Sequence, residues 1–131
     1  MRRVLCLVID DSRAMRLILR RIVTGLNFEV VEAGNGREAM DRLEELEAVP
    51  ELALIDWNMP EMNGLEFVTA VRADKRYRAM TLMMVTTESE HGQIVRALAA
   101  GAHEYVIKPF TPDAIVDKLV MLGLIVDGAH A

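Results

Sequence analysis

At 131 residues, 52% hydrophobic and 27% charged, the chain has the size and composition of one soluble globular domain. Its formal net charge of −5, with acids and bases interspersed, argues against nucleic acid or an anionic membrane as the main partner, because both reward a concentrated basic face. A single cysteine, Cys6, excludes an intrachain disulfide framework or a cysteine-based metal site, and no run approaches the ~18–20 apolar residues that insert across a bilayer.

The first apolar run, Val4–Ile9, reads as a buried strand closing on Asp10-Asp11. Acids arrive too soon after it for a secretory pattern, which implies a cytoplasmic protein. Met15, Ile18, Leu19 and Ile22 then follow the i, i+3, i+4, i+7 spacing of one helix face. Arg13, Arg16, Arg20 and Arg21 fall to its solvated side, and Gly25 stands where the helix stops. Phe28–Val31 is a second strand, after which Asn35 and Glu38 are spaced as N-cap and N3 partners. The third run, Leu52–Ile55, ends abruptly in Asp56 at the start of the loop DWNMPEMNG, and Asn63 with Glu66 opens the helix beyond.

Thr81–Val85 is the fourth strand and runs into Thr86-Thr87-Glu88. Ile94, Ala97, Leu98 and Gly101 give another helix face. Glu104–Ile107 is the fifth strand and runs into Lys108-Pro109. Thr111-Pro112-Asp113 supplies a capping hydroxyl, a proline at N1 and an acid in the positive first turn of the last helix. That helix is rich in apolar residues past its stop at Gly123, through Leu124-Ile125-Val126. Packing against the first helix accounts for them, and a docking surface for a partner or second copy is the alternative. His91 and His103 read as solvent-facing residues rather than ligands.

Five strands alternating with helices, with no repeat or linker, predict an α/β fold. It is a (βα)5 doubly wound parallel sheet of flavodoxin-like type, with right-handed crossovers. In the common strand order 2-1-3-4-5 the winding reverses between strands 1 and 3, and ligands bind there, at the carboxyl ends. Asp10, Asp11 and Asp56 converge at that point, with Thr86 and Lys108 beside them. Each pair of carboxylates at ~4 Å costs roughly 4 kcal/mol at an effective dielectric of about 20. A divalent cation removes that penalty, and oxygen ligands without histidine or cysteine favour Mg²⁺. Such a site suits a phosphoryl group, with Asp56 as nucleophile forming an acyl phosphate. Thr86 and Lys108 are placed to meet the phosphoryl oxygens.

The segments VIDDSRAMR, LIDWNMPEMNG, MMVTTE and YVIKPF resemble, in order and spacing, the motifs of the response-regulator receiver family over residues 3 to about 122. DWNMPEMNG and YVIKPFT are most similar to its single-domain chemotaxis branch. The resemblance implies one receiver domain over residues 1–131 that takes a phosphoryl group from a sensor histidine kinase or phosphotransfer protein, with Mg²⁺, onto Asp56. It implies Asp10, Asp11, Asp56 and the Asn58 backbone carbonyl as metal ligands, and Thr86, Thr87 and Lys108 as the phosphoryl-binding group. It further implies Thr86 and Tyr105 as the switch pair, a cis bond before Pro109, and Asn58 with Glu88 as residues that tune autodephosphorylation. Phosphorylation, also accepted from small donors, would alter binding at the surface of helix 4, strand 5 and helix 5. The target is a downstream protein, a flagellar switch component being one candidate, and the chain a monomer or weak dimer. The family usually has Ala or Gly at position 87, so Thr87 is expected to narrow access to Asp56. Trp57 adjoins Asp56 and should report binding there by fluorescence.

The module would be a phosphorylation-controlled binding protein rather than an enzyme, or an intermediate receiver in a phosphorelay. A haloacid-dehalogenase-type phosphatase also uses a strand-end aspartate and Mg²⁺, but it needs a second aspartate where this chain has Asn58. A flavin carrier would need a phosphate-cradling first loop, and Asp10 and Asp11 would repel that phosphate.

Overall fold

The computed structural model describes residues 4–87 and 91–126. Along them run β1 (Leu5–Ile9), α1 (Arg13–Thr24), β2 (Glu29–Ala33), α2 (Gly36–Glu45), β3 (Leu52–Ile55) and α3 (Gly64–Ala73). After a 3-10 turn at Lys75–Tyr77 come β4 (Thr81–Thr86), α4 (His91–Ala100), β5 (Glu104–Ile107) and α5 (Pro112–Met121). All four pairings are parallel, in the order β2-β1-β3-β4-β5, as the expected (βα)5 pattern requires.

The two-residue period of the strands divides the core in two. Leu7, Ile9, Ala53, Ile55, Leu82 and Met84 face one way, onto Ala39 and Leu43 of α2, Phe67, Val68 and Val71 of α3, and Ala97 of α4. Cys6, Val8, Leu52, Leu54, Met83 and Val85 face the other way, onto Leu19 and Val23 of α1 and Ile115 and Leu119 of α5. With both faces covered, β3 and β4 have no polar side, which is why they read as continuous apolar runs. Each fully buried Val, Leu, Ile, Phe or Met side chain contributes about 1.5–3 kcal/mol relative to exposure.

Helix ends follow the side-chain chemistry. Asn35 accepts from the Glu38 N–H, Asn63 and Glu66 close a full capping box, and Thr111 accepts from the Ala114 N–H. At the end of α5, Gly123 adopts φ 77°. The Leu124 and Gly123 N–H groups return to Leu119 O and Val120 O at 3.0 Å each, the two bonds of a Schellman motif. Leu122, Leu124 and Ile125 pack against the same buried cluster as Ile22 and Leu26 of the first helix and its end, which favours packing over docking for most of the apolar tail.

Two side chains expected on buried helix faces are not buried. Ile18 is 45% exposed and Leu98 43%. Each lies about 100° around its helix from the fully buried neighbour, Leu19 or Ala97, so only one of each pair can point at the sheet.

His103 lies at the surface, as expected, yet its ring belongs to the sheet. The His103 backbone N–H donates to Leu82 O at 2.8 Å, and the Leu82 N–H donates back to His103 Nδ1 at 3.0 Å. The imidazole thus takes the place of a strand carbonyl. Arg72 Nη2 lies 3.4 Å from the same nitrogen, while Arg72 also donates to the carbonyls of Gly101, Tyr77, Arg78 and Met80. Gly101, at φ 126°, has no room for a Cβ, which would sit 2.3 Å from Arg72 Cγ.

Partial burial, followed by the Arg72 charge, lowers the His103 pKa from its ordinary value near 6.5. The neutral ring therefore contributes stability that is present above about pH 6.5 and lost as pH falls through the folded-state pKa. His103→Gln, neutral throughout, should lose less stability than the parent between pH 7 and 5. The expected difference is smaller than one hydrogen bond's worth, because solvent screens a ring that is largely exposed. Urea titrations at the two pH values measure it, and identical pH dependence in both proteins would contradict it.

Candidate functional site

The turn after β1 is built from its own polar groups. Asp10 is 1% exposed; its N–H donates to Ala33 O at 3.1 Å, and its Oδ1 accepts from the Ser12 N–H at 2.8 Å. Ser12 Oγ in turn accepts from the Met15 N–H at 3.2 Å and caps α1. Arg16 Nη1 donates to the Asp10 carbonyl at 2.6 Å. Glu32 on β2 holds Arg16 at 3.1 Å and Arg20 at 2.7 Å. Burial works to raise the Glu32 pKa, but the hydrogen bonds from Arg20 and Arg16 outweigh it and keep the carboxylate below its usual range. Arg16 is thus not the solvated helix residue its sequence neighbourhood suggested. Its position one turn into α1 lets the long side chain reach back over the β1 end.

Asp56 leaves β3 with its N–H on Ile9 O at 2.9 Å and is 7% exposed. Its Oδ1 accepts from the Trp57 N–H at 2.9 Å. The same N–H lies 3.3 Å from Thr86 Oγ1, which brings the fully buried Thr86 hydroxyl to the acid. Behind Asp56 the backbone returns at Gly64, whose N–H donates to Trp57 O at 2.8 Å. A Cβ on Gly64 would lie 2.2 Å from Asp56 O, so only glycine fits there.

Oxygens of Asp10, Asp11 and Asp56 lie within 4.8 Å of one another, with Asp11 exposed and the other two buried. Lys108 reaches in from the end of β5. Its Nζ is 2.6 Å from Asp10 Oδ2 and 3.7 Å from Asp56 Oδ1. The ammonium is therefore nearer the first strand's acid than the third's. The Lys108–Pro109 bond is cis, and the Lys108 N–H donates to Thr86 O at 2.9 Å, extending the β4–β5 pairing to the site. Burial raises the Asp56 pKa, with Asp10 adding in the same direction. The Thr86 hydroxyl, the Lys108 ammonium and the Trp57 N–H pull against that rise without cancelling it. An oxygen-only cluster with one ammonium among three acids fits a hard divalent cation.

Asp10, Asp11, Asp56, Thr86 and Lys108 are thus brought together. Asn58 and Thr87 are exposed nearby in sequence, at the ends of β3 and β4. Tyr105 is buried with the α4-side core, beside Met84 in the β4–β5 register and one pleat from Thr86. Glu88 and the side chain of His91 lie outside the described residues. Sequence reasoning missed Ser12, Arg16 and Gly64. Ser12 carried a signal, a capping residue type just before a helix. Gly64 and Arg16 act through close approach and reach, which no local pattern encodes.

A model of the response regulator receiver domain matches residues 6–120. A chemotaxis protein CheY homolog of Campylobacter jejuni (strain 81-176) is 49% identical over 114 residues, covering 86% of this chain and 87% of its own. Chemotaxis protein CheY1 of Helicobacter pylori (strain J99) is 44% identical over 119 residues, 89% of this chain and 95% of its own. In structure, chemotaxis protein CheY4 of Vibrio cholerae superposes with a TM-score of 0.84 at 31% identity, over 92% of this chain and 98% of that one.

Proposed function

Since the chain belongs to the response regulator receiver family, we propose that it is a CheY-like regulator of a chemotaxis two-component system, with Asp56 as phosphoacceptor. The observation that carries this is the set of three acids at adjoining strand ends with Lys108 between two of them. A carboxylate oxygen of Asp56 attacks the phosphorus of a phosphohistidine on a sensor kinase or phosphotransfer protein. The new O–P bond forms as the P–N bond breaks, and its electron pair stays on the imidazole. In this reading Asp10, Asp11, Asp56 and the Asn58 carbonyl would hold Mg²⁺, which would supply positive charge to the phosphoryl oxygens when bound.

Lys108 then exchanges one anion for another. Its ammonium already reaches both Asp10 and Asp56, so a short swing takes it to a phosphoryl oxygen, where a charge-assisted bond is stronger than a neutral one. Thr86 donates its hydroxyl to the same group. Tyr105 is already inward in this conformation, so in this reading the space Thr86 leaves holds it there and the switch is a shift of population between two states. The readout is the face of α4, β5 and α5, where Val95 is 49% exposed, Leu98 43% and Ile107 36%, apolar surface suited to a downstream protein. A flagellar switch component is the candidate target, and a phosphorelay partner the alternative. No described helix is long and apolar enough to cross a membrane, and we place the protein with its kinase in the cytoplasm. Asn58 and Glu88 tune hydrolysis of the acyl phosphate in this reading, and Thr87 crowds the approach.

Incubation with acetyl phosphate tests the proposal. It predicts a Mg²⁺-dependent, hydroxylamine-labile phosphoprotein that accumulates. Continuous phosphate release without accumulation would favour the phosphatase chemistry instead, and no phosphoprotein at all would overturn the site.

A further inference from the structure

One contact joins α4 to the loop after β3 by a route that does not pass through Tyr105. Arg96, on α4, carries its guanidinium over the Trp57 ring, with Cζ 5.9 Å from the centroid, within reach of the attraction between a cation and an aromatic face. Gln93, one turn earlier, accepts from Arg96 Nη1 at 2.9 Å and steadies it there. Trp57 is 6% exposed, so its ring cannot turn without disturbing what lies over it. Its backbone N–H is committed to the site, 2.9 Å from Asp56 Oδ1 and 3.3 Å from Thr86 Oγ1.

Any group that takes the Asp56 oxygen, or draws the Thr86 hydroxyl away, must change the partners of that N–H. The peptide bearing the ring then reorients beneath Arg96. We propose that Arg96 is a positioning residue through which Trp57 transmits the state of Asp56 to α4, in parallel with the Thr86–Tyr105 pair. The proposal rests on Asp56 being the phosphoacceptor. α4 also presents Val95 and Leu98 to solvent, so the tie reaches the exposed apolar face of the helix. Coupling of this kind is reciprocal: a protein held on α4 would bias the site through the same contact.

The test uses the full chain, with Mg²⁺ and beryllofluoride as the phosphoryl mimic and backbone amide NMR as the readout. In the parent, amides around Asp56 and Lys108 and amides of α4 should both shift. In Arg96→Gln the site amides should shift as far as in the parent, while the α4 shifts fall to half or less. Arg96→Lys, which keeps the charge without the planar group, should restore part of the loss. The emission of Trp57, the sole tryptophan of the chain, should also differ between Arg96→Gln and the parent before any addition. Full-sized α4 shifts in Arg96→Gln would overturn the role of Arg96 and leave the site standing. Absence of any site response in the parent would overturn the reading of Asp56 and this coupling with it.

Discussion

Gly64→Ala is expected to cost about 3 kcal/mol, the upper part of the usual range for forcing atoms into filled space, and to lower Tm by roughly 10 °C. The added Cβ would meet Asp56 O at 2.2 Å and Trp57 Cα at 2.9 Å. Both are backbone atoms, so no flexible side chain can move aside and the β3–α3 loop itself must shift. That loop carries the Asp56 carboxylate into line with Thr86 and Lys108. Phosphorylation by small donors should therefore fall by tenfold or more in whatever fraction remains folded. Thermal unfolding and the initial rate of phosphorylation measure the two effects. A variant with the parent's Tm and rate would show that the close approach does not position Asp56.

Mg²⁺ affinity should move in opposite directions in two variants. Asp11→Ala removes the exposed member of the acid cluster and should weaken binding at least tenfold, about 1.4 kcal/mol. Lys108→Ala removes the ammonium 2.6 Å from Asp10 Oδ2, a competitor for the same oxygens, and should strengthen binding. It also leaves a carboxylate that is 1% exposed without its counter-charge. In the absence of Mg²⁺ the variant should lose about 3 kcal/mol, much of it recovered as the metal is added. Lys108→Ala should still permit some phosphorylation, but the effect of phosphorylation on binding at the α4–β5–α5 face should be weakened. Titration calorimetry and unfolding with and without Mg²⁺ distinguish these outcomes. Equal affinities in the two variants would contradict the shared-oxygen geometry.

Much of the architecture is legible in the residues. Leu52–Ile55 and Glu104–Ile107 can be bounded from the sequence because each ends at a sharp chemical change, Asp56 in one case and Lys108-Pro109 in the other. The caps at Asn35, Asn63 and Thr111 are equally readable, since capping is local chemistry. The strand ends also bring the five polar groups together, because strict alternation leaves few ways to order a parallel sheet. β2 is less well bounded, ending at Ala33 rather than Val31. It is an edge strand with half-exposed residues, so burial marks its limits weakly. Ile18 and Leu98 were misplaced because a stripe of four apolar residues is wider than the arc that touches the sheet. The roles of Gly64, Arg16 and the His103 ring were not legible. They depend on which distant backbone atoms come within 3 Å, a property of the folded chain alone.

Locating the phosphoryl group is the most direct test of the central claim. The parent and Asp56→Asn are treated in parallel with Mg²⁺ and acetyl phosphate, the acyl phosphate is trapped by borohydride reduction, and the modified residue is read by peptide mass spectrometry. The prediction is modification at Asp56 in the parent and none in Asp56→Asn, whose circular dichroism should match the parent's. Modification at Asp10, at Asp11 or elsewhere, or equal labelling of the two proteins, would contradict it.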